Sequence, residues 1–395
     1  MKPKLKTDYQ TVLMIVAGIV AFSLFLQHEF ALKQALLFLI GIGLGVTLLH
    51  AAFGFTGSWR TFVRQRRGAG IRAQILLLSL TSILFFPLLG NAFPELTASG
   101  ALAPVGISVL VGAFIFGFGM QFGNGCGSGT LFTVGGGHVR MLIVLTFFII
   151  GATIGTAHLP AWLSLPSLGK ISIVNSLGWL PGLIAQLFVL AILYVVVKTI
   201  EQKRHGNVAG LSGTSDKSFI ERLTFGPWAL MWAVIALALF NYATLVLAGH
   251  PWTITFAFGL WGTKLWAAMG GDISQWGFWQ GGYAAQALNS SVLADTTTLM
   301  DFGIIIGAML AAALAGKFAP DSKITMADWM TAIVGGLLMG YGARLAFGCN
   351  IGGLLAGISS GSLHGWLWLI AGFTGTLVGV RLRIVLKLDK PPIEV

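Results

Sequence analysis

Two stretches of the sequence match each other at an offset of 223 residues: VGAFIFGFGMQFGNGCGSGTL (111–131) and VGGLLMGYGARLAFGCNIGGL (334–354). Both contain spaced glycines and one Gly-Cys pair, which places the only two cysteines of the chain, Cys126 and Cys349, at equivalent positions. The match predicts an internal repeat in which an apolar helix is interrupted beside each thiol.

The composition around these stretches is that of a membrane protein. Of 395 residues, 56% are hydrophobic and 9% are charged, with a mean hydropathy of +0.85. A soluble domain carries about 25% charged residues, so this composition cannot cover a water-facing surface. The net charge of +11 comes from Lys and Arg clusters between apolar segments, a membrane pattern rather than a nucleic-acid surface. We therefore predict an all-α integral membrane protein.

About ten or eleven apolar segments are candidates for membrane spans. A bilayer core requires about 20 apolar residues per helix, and fewer where the bilayer thins. The candidate segments lie near residues 12–26, 35–53, 73–89, 102–122, 141–159, 177–197, 228–247, 252–269, 302–314, 330–347 and 363–380.

Clusters of Lys and Arg set the predicted orientation. They follow the second, sixth and last apolar segments, and all are cytoplasmic if the N-terminus is inside and the segments alternate. One further crossing is then needed, and residues 284–299, interrupted by polar side chains, predict a broken or re-entrant helix there. We expect a multi-pass protein of the cytoplasmic (inner) membrane with both termini inside. Its first half is predicted at residues 1–200, a cytoplasmic linker at 201–225 and its second half at 226–395.

The predicted topology gives the two Gly-Cys stretches opposite directions. The helix before Cys126 would run from outside to inside, and the helix before Cys349 from inside to outside. Transporters use inverted repeats of this kind to build a site near the membrane midplane. Helix ends at glycine-rich breaks present backbone N–H groups, which favour an anion. The sequence thus predicts two facing loops that each offer a thiol and amides to a transported anion.

The Gly-Cys stretches, with GARLAFGCNIGGLLAGISSGSLHGW (342–366) and FGFTGSWR (53–60), resemble the YeeE/YedE family of membrane proteins. The resemblance covers most of the chain and implies a helical inverted repeat that takes up thiosulfate. It implies that Cys126 and Cys349 line the path and donate weak S–H hydrogen bonds to the passing ion. It also implies a small cytoplasmic sulfur-carrier protein as a partner. One feature differs: Gly54 takes the place of a third cysteine, which thiosulfate-transporting members carry in a motif like F-C-L-T-G.

Small and polar residues beside the thiols complete the candidate substrate-binding set. Gly125 and Gly348 are predicted chain breaks directly before each cysteine. Ser128, Thr130 and Asn350 either donate hydrogen bonds to an oxyanion or cap re-entrant helices.

Ionisable residues inside apolar segments are the remaining candidates, because such residues are functional by default in a membrane. Arg344 belongs to the substrate-binding set, and it either attracts an anion, reaches an interface or pairs with a carboxylate. Lys264 and Asp301 have weaker claims, since both can lie near an interface. His138 and His364 recur in the repeat and either cap or anchor their helices or relay protons.

Two other functions fit the same residues. In one, a membrane component of sulfur or selenium metabolism transfers a persulfide between carriers through a cysteine thiolate. In the other, the protein is a structural scaffold and both cysteines tolerate replacement. A disulfide between the cysteines is a further reading of the pair. No enzyme motif, metal-ligand cluster or cofactor motif is evident in the sequence, so we expect a transporter rather than an enzyme.

Overall fold

Helices make up nearly all of the regular structure. The structure is a computed structural model, and it describes residues 8–212, 218–318 and 324–388. A short antiparallel strand pair, β1 (Pro104–Gly106) and β2 (Ser167–Lys170), joins two loops. In chain order the helices are α1 (Tyr9–Glu29), α2 (Leu32–His50), α3 (Phe55–Gln65), α4 (Ala69–Leu89), α5 (Ile107–Gly123), α6 (Gly127–Gly135), α7 (Val139–Leu163), α8 (Ile173–Leu177), α9 (Trp179–His205), α10 (Phe219–Phe225), α11 (Leu230–Ala248), α12 (Thr255–Ala268), α13 (Gly282–Asn289), α14 (Thr296–Leu314), α15 (Met326–Leu345), α16 (Ala356–Ser359) and α17 (Leu363–Val385).

Ten helical segments in the described part of the chain are long and apolar enough to cross a membrane. They confirm the prediction of an all-α membrane protein with about ten or eleven apolar segments. The segment near residues 252–269 differs, because it forms only the 14-residue α12, shorter than the roughly 20 residues that a bilayer core requires. The broken helix predicted at residues 284–299 comprises most of α13, a 3₁₀ turn at Val292–Ala294 and the first turn of α14.

The two halves repeat the same order of helices in opposite directions. An offset of 223 residues places each of α1–α7 on its counterpart among α11–α17. In the equivalent helices α5 and α15, Gly112 faces Gly342, whereas Gly123 faces Gly335. Residue numbers therefore rise along α5 as they fall along α15, so these two helices are antiparallel. The repeat is inverted, as the sequence predicts.

Glycines let the central helices touch through their backbones. Gly117 of α5 packs against the carbonyl group of Gly372 in α17, and the equivalent Gly340 of α15 packs against the carbonyl group of Phe148 in α7. A Cβ atom at Gly340 would lie 2.5 Å from the backbone nitrogen of Ala152, so any larger residue must displace a helix. Small residues at such contacts permit close helix approach in membranes.

Aromatic side chains fill the remaining space between these central helices. Phe116 and Trp368 are fully buried with ring centroids 5.6 Å apart, and Phe148 and Phe258 are fully buried with centroids 4.9 Å apart. Such pairs contribute about 0.5–1.5 kcal/mol beyond the burial of their area. The central group of α5, α7, α15 and α17 therefore forms a stiff frame for the breaks beside the two thiols.

The segment between the halves is attached to the first half by a buried ion pair. Within the predicted linker at residues 201–225, Glu201 is fully buried. Its carboxylate accepts hydrogen bonds from Arg72 Nη2 at 2.9 Å and from the backbone N–H of Ala209 at 3.2 Å. Residues 213–217 of this linker lie outside the described residues. The cytoplasmic placement of the linker stays a prediction.

Candidate functional site

Both cysteines lie at breaks between helices, in loops of the same conformation. Cys126 directly precedes α6, and Cys349 directly precedes a π-helical turn, Asn350–Leu355, that continues into α16. Their φ/ψ angles are nearly equal, −93°/−167° for Cys126 and −82°/−163° for Cys349. Two residues before each thiol, at Asn124 and Phe347, the chain adopts the left-handed conformation. The loops are therefore structural copies of each other.

The two Gly-Cys loops touch inside the protein. The exposed fraction is 1% for Cys126 and 0% for Cys349. A Cβ atom at Gly127 would lie 2.8 Å from Cys349 Sγ, so the loop that carries Cys126 passes directly beside the other thiol. Both cysteines are free thiols, in contrast to the disulfide reading. The inverted repeat thus brings the two predicted loops to one place.

The polar residues that follow the thiols have different environments. Ser128 Oγ lies 3.4 Å from Cys126 Sγ, within hydrogen-bond distance for sulfur. Thr130 Oγ1 donates to the carbonyl oxygen of Cys126 at 2.8 Å, one turn back along α6, so its hydroxyl group is engaged within its own helix and does not cap it. Asn350 is fully buried, and neither its amide nitrogen nor its amide oxygen has a hydrogen-bond partner among the described residues. Asn350 is therefore the member of this group that is free to bind a ligand.

The two glycines before the thiols differ in how strictly packing requires them. Gly348 has φ +147°, and a Cβ atom there would lie 2.6 Å from the carbonyl carbon of Gly352. At Gly125, a Cβ atom would lie 2.9 Å from Cε of Met141, which is a flexible side chain. The chain break at Gly348 therefore needs glycine more strictly than the break at Gly125 does.

A cavity of about 320 Å³ lies against the Cys349 loop. Gly348 and Gly352, on either side of Cys349 in the sequence, form part of its wall. The rest of the wall comes from the segments that precede α5 and α12, from α7, α12, α13 and α14, from the turn that carries Phe278, and from the C-terminal end of α15. A small anion bound in this cavity would lie next to the loop that carries Cys349. The polar residues of the wall are Ser99, His250, Thr253, Thr255, Tyr283, Thr297 and Arg344.

Arg344 brings a positive charge into this cavity. Its guanidinium carbon lies 3.7 Å from the ring centroid of Phe278 and 5.7 Å from that of Trp279. Its Nε and Nη2 atoms are buried and have no hydrogen-bond partner among the described residues, and no described carboxylate lies within ion-pair distance of it. Of the readings that the sequence left open, pairing with a carboxylate is therefore not seen among the described residues, and attraction of an anion stays a prediction. The aromatic faces hold the cation in place.

A second guanidinium occupies the equivalent place in the other half. The 223-residue offset places Gln121 on Arg344 and Arg60 on Tyr283. Arg60 Nε donates to Gln121 Oε1 at 2.9 Å, and its Nη1 donates to Asn124 Oδ1 at 2.7 Å. Arg140 and Arg383 also donate to backbone carbonyl oxygens at the C-terminal end of α5, so three guanidinium groups lie just before the Cys126 loop. Sequence reasoning placed Arg60 only in the cytoplasmic basic cluster, because the register of the repeat sets it opposite Tyr283 and not opposite Arg344.

Other ionisable residues are also placed by the structure. Asp301 is fully buried in α14, and neither carboxylate oxygen has a hydrogen-bond partner in the described part of the chain. Lys264 Nζ donates to the carbonyl oxygens of Leu288 at 2.6 Å and Ser290 at 2.7 Å, so it caps the C-terminal end of α13. His364 is buried with its Nδ1 atom 2.7 Å from Ser362 Oγ, and His138 directly precedes α7. Among the described residues, no three His, Cys, Asp or Glu side chains form a metal-binding group.

The position that lacks the third cysteine is sterically open. Gly54 precedes α3 in an extended conformation, and no atom lies within 4 Å of the position that its Cβ would occupy. The structure can therefore accommodate a cysteine side chain there.

Comparison with known proteins gives one family and several relatives. A family model described as sulphur transport matches residues 50–378 and confirms the resemblance seen in the Gly-Cys stretches. The probable transporter YedE of Escherichia coli (strain K12) is 33% identical over 172 residues, and the match covers 41% of this chain and 41% of YedE. The thiosulfate transporter TsuA of Spirochaeta thermophila is 26% identical over 83% of this chain and 92% of its own length. TsuA of Escherichia coli (strain K12) is 25% identical over 84% of this chain and 89% of its own length.

Proposed function

Because the chain belongs to the sulphur transport family, we propose that it carries a small sulfur-containing anion, with thiosulfate as the first candidate, across the cytoplasmic (inner) membrane. The relatives that align over most of the chain are named as thiosulfate transporters. The observation that carries the proposal is the guanidinium of Arg344, which lines a cavity beside Cys349, has two buried nitrogens without a hydrogen-bond partner, and has no carboxylate partner among the described residues.

The anion first binds in the cavity at Arg344. A hydrogen bond between charged groups contributes about 1.5–3 kcal/mol. Two buried donors of this guanidinium have no partner among the described residues, so no existing hydrogen bond to them is broken when the anion binds. Stacking on Phe278 fixes the plane of the guanidinium, so little side-chain entropy is lost when the anion binds. This site selects for negative charge and brings the anion to the Gly-Cys loops.

The anion then passes between the two loops by exchanging weak hydrogen bonds. Asn350 provides amide donors, and the thiols of Cys349 and Cys126 provide S–H donors. Because Gly127 contacts Cys349 Sγ, the ion leaves one loop and meets the other without crossing an apolar gap. Conduction requires binding that is weak and divided among several stations, and thiols are weak donors. Arg60, beside Gln121, is the equivalent cation on the far side.

The same geometry argues against the persulfide alternative. A thiol that accepts a persulfide must reach a carrier protein, whereas the exposed fraction of both sulfur-bearing residues is 1% or less. A small cytoplasmic sulfur-carrier protein would instead bind the predicted cytoplasmic surface, at residues 60–72 or 201–222, and receive the released anion there. This partner belongs to the proposal and comes from the family resemblance.

Uptake of sulfur-labelled thiosulfate into proteoliposomes tests the proposal. The purified wild type should take up thiosulfate in the presence of excess sulfate, while Cys126→Ser and Cys349→Ser should each lower the rate at least tenfold at unchanged protein content. A structural scaffold would tolerate both substitutions. Absence of uptake by correctly folded wild type would overturn the thiosulfate assignment, and a persulfide detected on either cysteine by mass spectrometry would favour sulfur transfer.

A further inference from the structure

Asp301 is a buried acidic residue that the proposed path does not use. It lies in α14, one of the membrane-spanning helices, and its exposed fraction is 0%. Neither carboxylate oxygen has a hydrogen-bond partner among the described residues. Thr297, one helical turn earlier, lines the cavity that contains Arg344. The helix α14 also packs against α6, which directly follows Cys126. An unpartnered carboxyl group therefore lies beside the path.

The charged groups around Asp301 do not neutralise it. Asp295 is the nearest carboxylate that acts on it, and this group is itself bound by the hydroxyl groups of Tyr283 and Thr298. No described cation lies within ion-pair distance of Asp301. The ionisable side chains of the helices packed against α14 are Tyr9, His28 and Glu29 on α1, Lys33 and His50 on α2, Glu221 and Arg222 on α10, and Lys264 on α12.

An ionised carboxylate at this position is costly, because desolvation is not offset by a cation or a donor. The group therefore holds a proton while it is sealed from water, and it can lose the proton only when its surroundings open. Ionisable residues placed in this way on a transport path are suited to relay protons. A divalent anion arriving at Arg344 also favours the neutral form of Asp301, because an ionised carboxylate nearby would repel it.

We propose that Asp301 carries the proton whose inward movement drives anion uptake. This inference rests on the proposed transport function and adds its energy source. The group takes a proton from the outer solution when the anion binds, and it releases the proton to the inner solution when the anion leaves. One proton accompanying a divalent anion leaves one net negative charge moved inward per cycle. Uptake is therefore driven by a proton gradient and opposed by a membrane potential that is negative inside.

Uptake into proteoliposomes at zero membrane potential, with and without an inward proton gradient, tests this inference. Wild-type protein should accumulate labelled thiosulfate about tenfold for each unit of pH difference, since one pH unit corresponds to 1.36 kcal/mol per proton. Asp301→Asn keeps the shape and the neutral state, so it should retain thiosulfate counterflow but show no accumulation. Asp272→Asn, at an exposed loop carboxylate, is the matched control and should behave like the wild type.

The outcomes separate this inference from the proposed function. Absence of wild-type counterflow means that the transport proposal fails. Three outcomes would each overturn the role of Asp301 alone. In the first, the wild type shows counterflow, but a proton gradient does not produce accumulation. In the second, a sodium gradient drives accumulation instead, and in the third, the Asp301→Asn variant still accumulates thiosulfate. Infrared difference spectra provide a readout apart from transport. Adding thiosulfate should change the carbonyl band of a protonated carboxyl group in the wild type but not in Asp301→Asn.

Discussion

At the scale of single residues, the side chains that define the site are those that the protein leaves without partners. Thr130 donates to a backbone carbonyl oxygen within its own helix, and Lys264 caps the C-terminal end of α13. Arg344 and Asn350 have buried donors with no partner in the described chain, which normally costs about 1–3 kcal/mol for each unsatisfied group. Beside a cavity, a bound ligand is one way in which such groups are satisfied. These two residues are therefore the best tests of anion binding.

Replacing Arg344 should weaken binding of the anion. Arg344→Gln removes a charge that contributes about 1.5–3 kcal/mol per hydrogen bond, so KM for thiosulfate should rise roughly 10- to 100-fold. For Arg344→Lys, KM should lie between the wild-type value and the Arg344→Gln value, because Lys keeps the charge but loses the planar stacking on Phe278. Arg204→Gln, at an exposed position on α9, is the control and should leave KM unchanged. Uptake rates measured over a range of thiosulfate concentrations give KM for each variant. An unchanged KM in Arg344→Gln would contradict the binding role.

Two glycines beside the site should respond in opposite ways to a side chain. Gly54→Cys adds a thiol in open space at an ordinary extended conformation, so the free energy of unfolding should change by less than about 0.5 kcal/mol. Gly348→Ala forces a side chain into φ +147° and against Gly352, which should cost about 1–3 kcal/mol or more. Thermal unfolding in detergent compares the two variants. Equal melting temperatures would show that the break at Gly348 is not strained.

At the scale of helices, the glycines that the sequence repeats act in packing. Gly340→Ala places a methyl group against the backbone of α7, so it should destabilise the protein by about 1–3 kcal/mol, as overpacking does. Gly18→Ala on α1, where nothing lies within 4 Å, is the matched control and should stabilise its helix by up to about 1 kcal/mol. The measurement is again thermal unfolding, followed by uptake for each variant. A Gly340→Ala protein as stable as the wild type would contradict the close contact of α15 and α7.

The sequence predicts helices well in this protein and contacts less well. The repeat, its inversion and the two thiol loops could be predicted, because the Gly-Cys match and the positions of the basic clusters depend on local patterns. The short length of α12 could not, since the apolar run begins at Trp252 while the helix begins only at Thr255. The environment of Asp301 depends on how α14 packs against the thiol loops. No local pattern contains that contact.

At the scale of the whole molecule, the inverted repeat relates the Cys349 end of the proposed path to its Cys126 end. The arrangement that places Arg344 beside the Cys349 loop places Arg60 beside the Cys126 loop, although the two arginines come from positions that are not equivalent. An inverted repeat that alternates its access exposes each loop to a different side of the membrane. The two cations should therefore act on opposite sides.

Transport measured from each side should distinguish the two arginines. In right-side-out membrane vesicles, Arg344→Gln should raise KM for thiosulfate about tenfold or more, whereas Arg60→Gln should leave it nearly unchanged, because a charged hydrogen bond is lost only at the entry side. In inside-out vesicles, Arg60→Gln should raise KM and Arg344→Gln should leave it nearly unchanged, since Arg60 lies next to the basic segment predicted to be cytoplasmic. The substitution Arg204→Gln should affect neither direction. If each arginine variant changed KM equally from both sides, the two guanidinium groups would serve one shared site, and the separation of the path into two stations related by the repeat would be wrong.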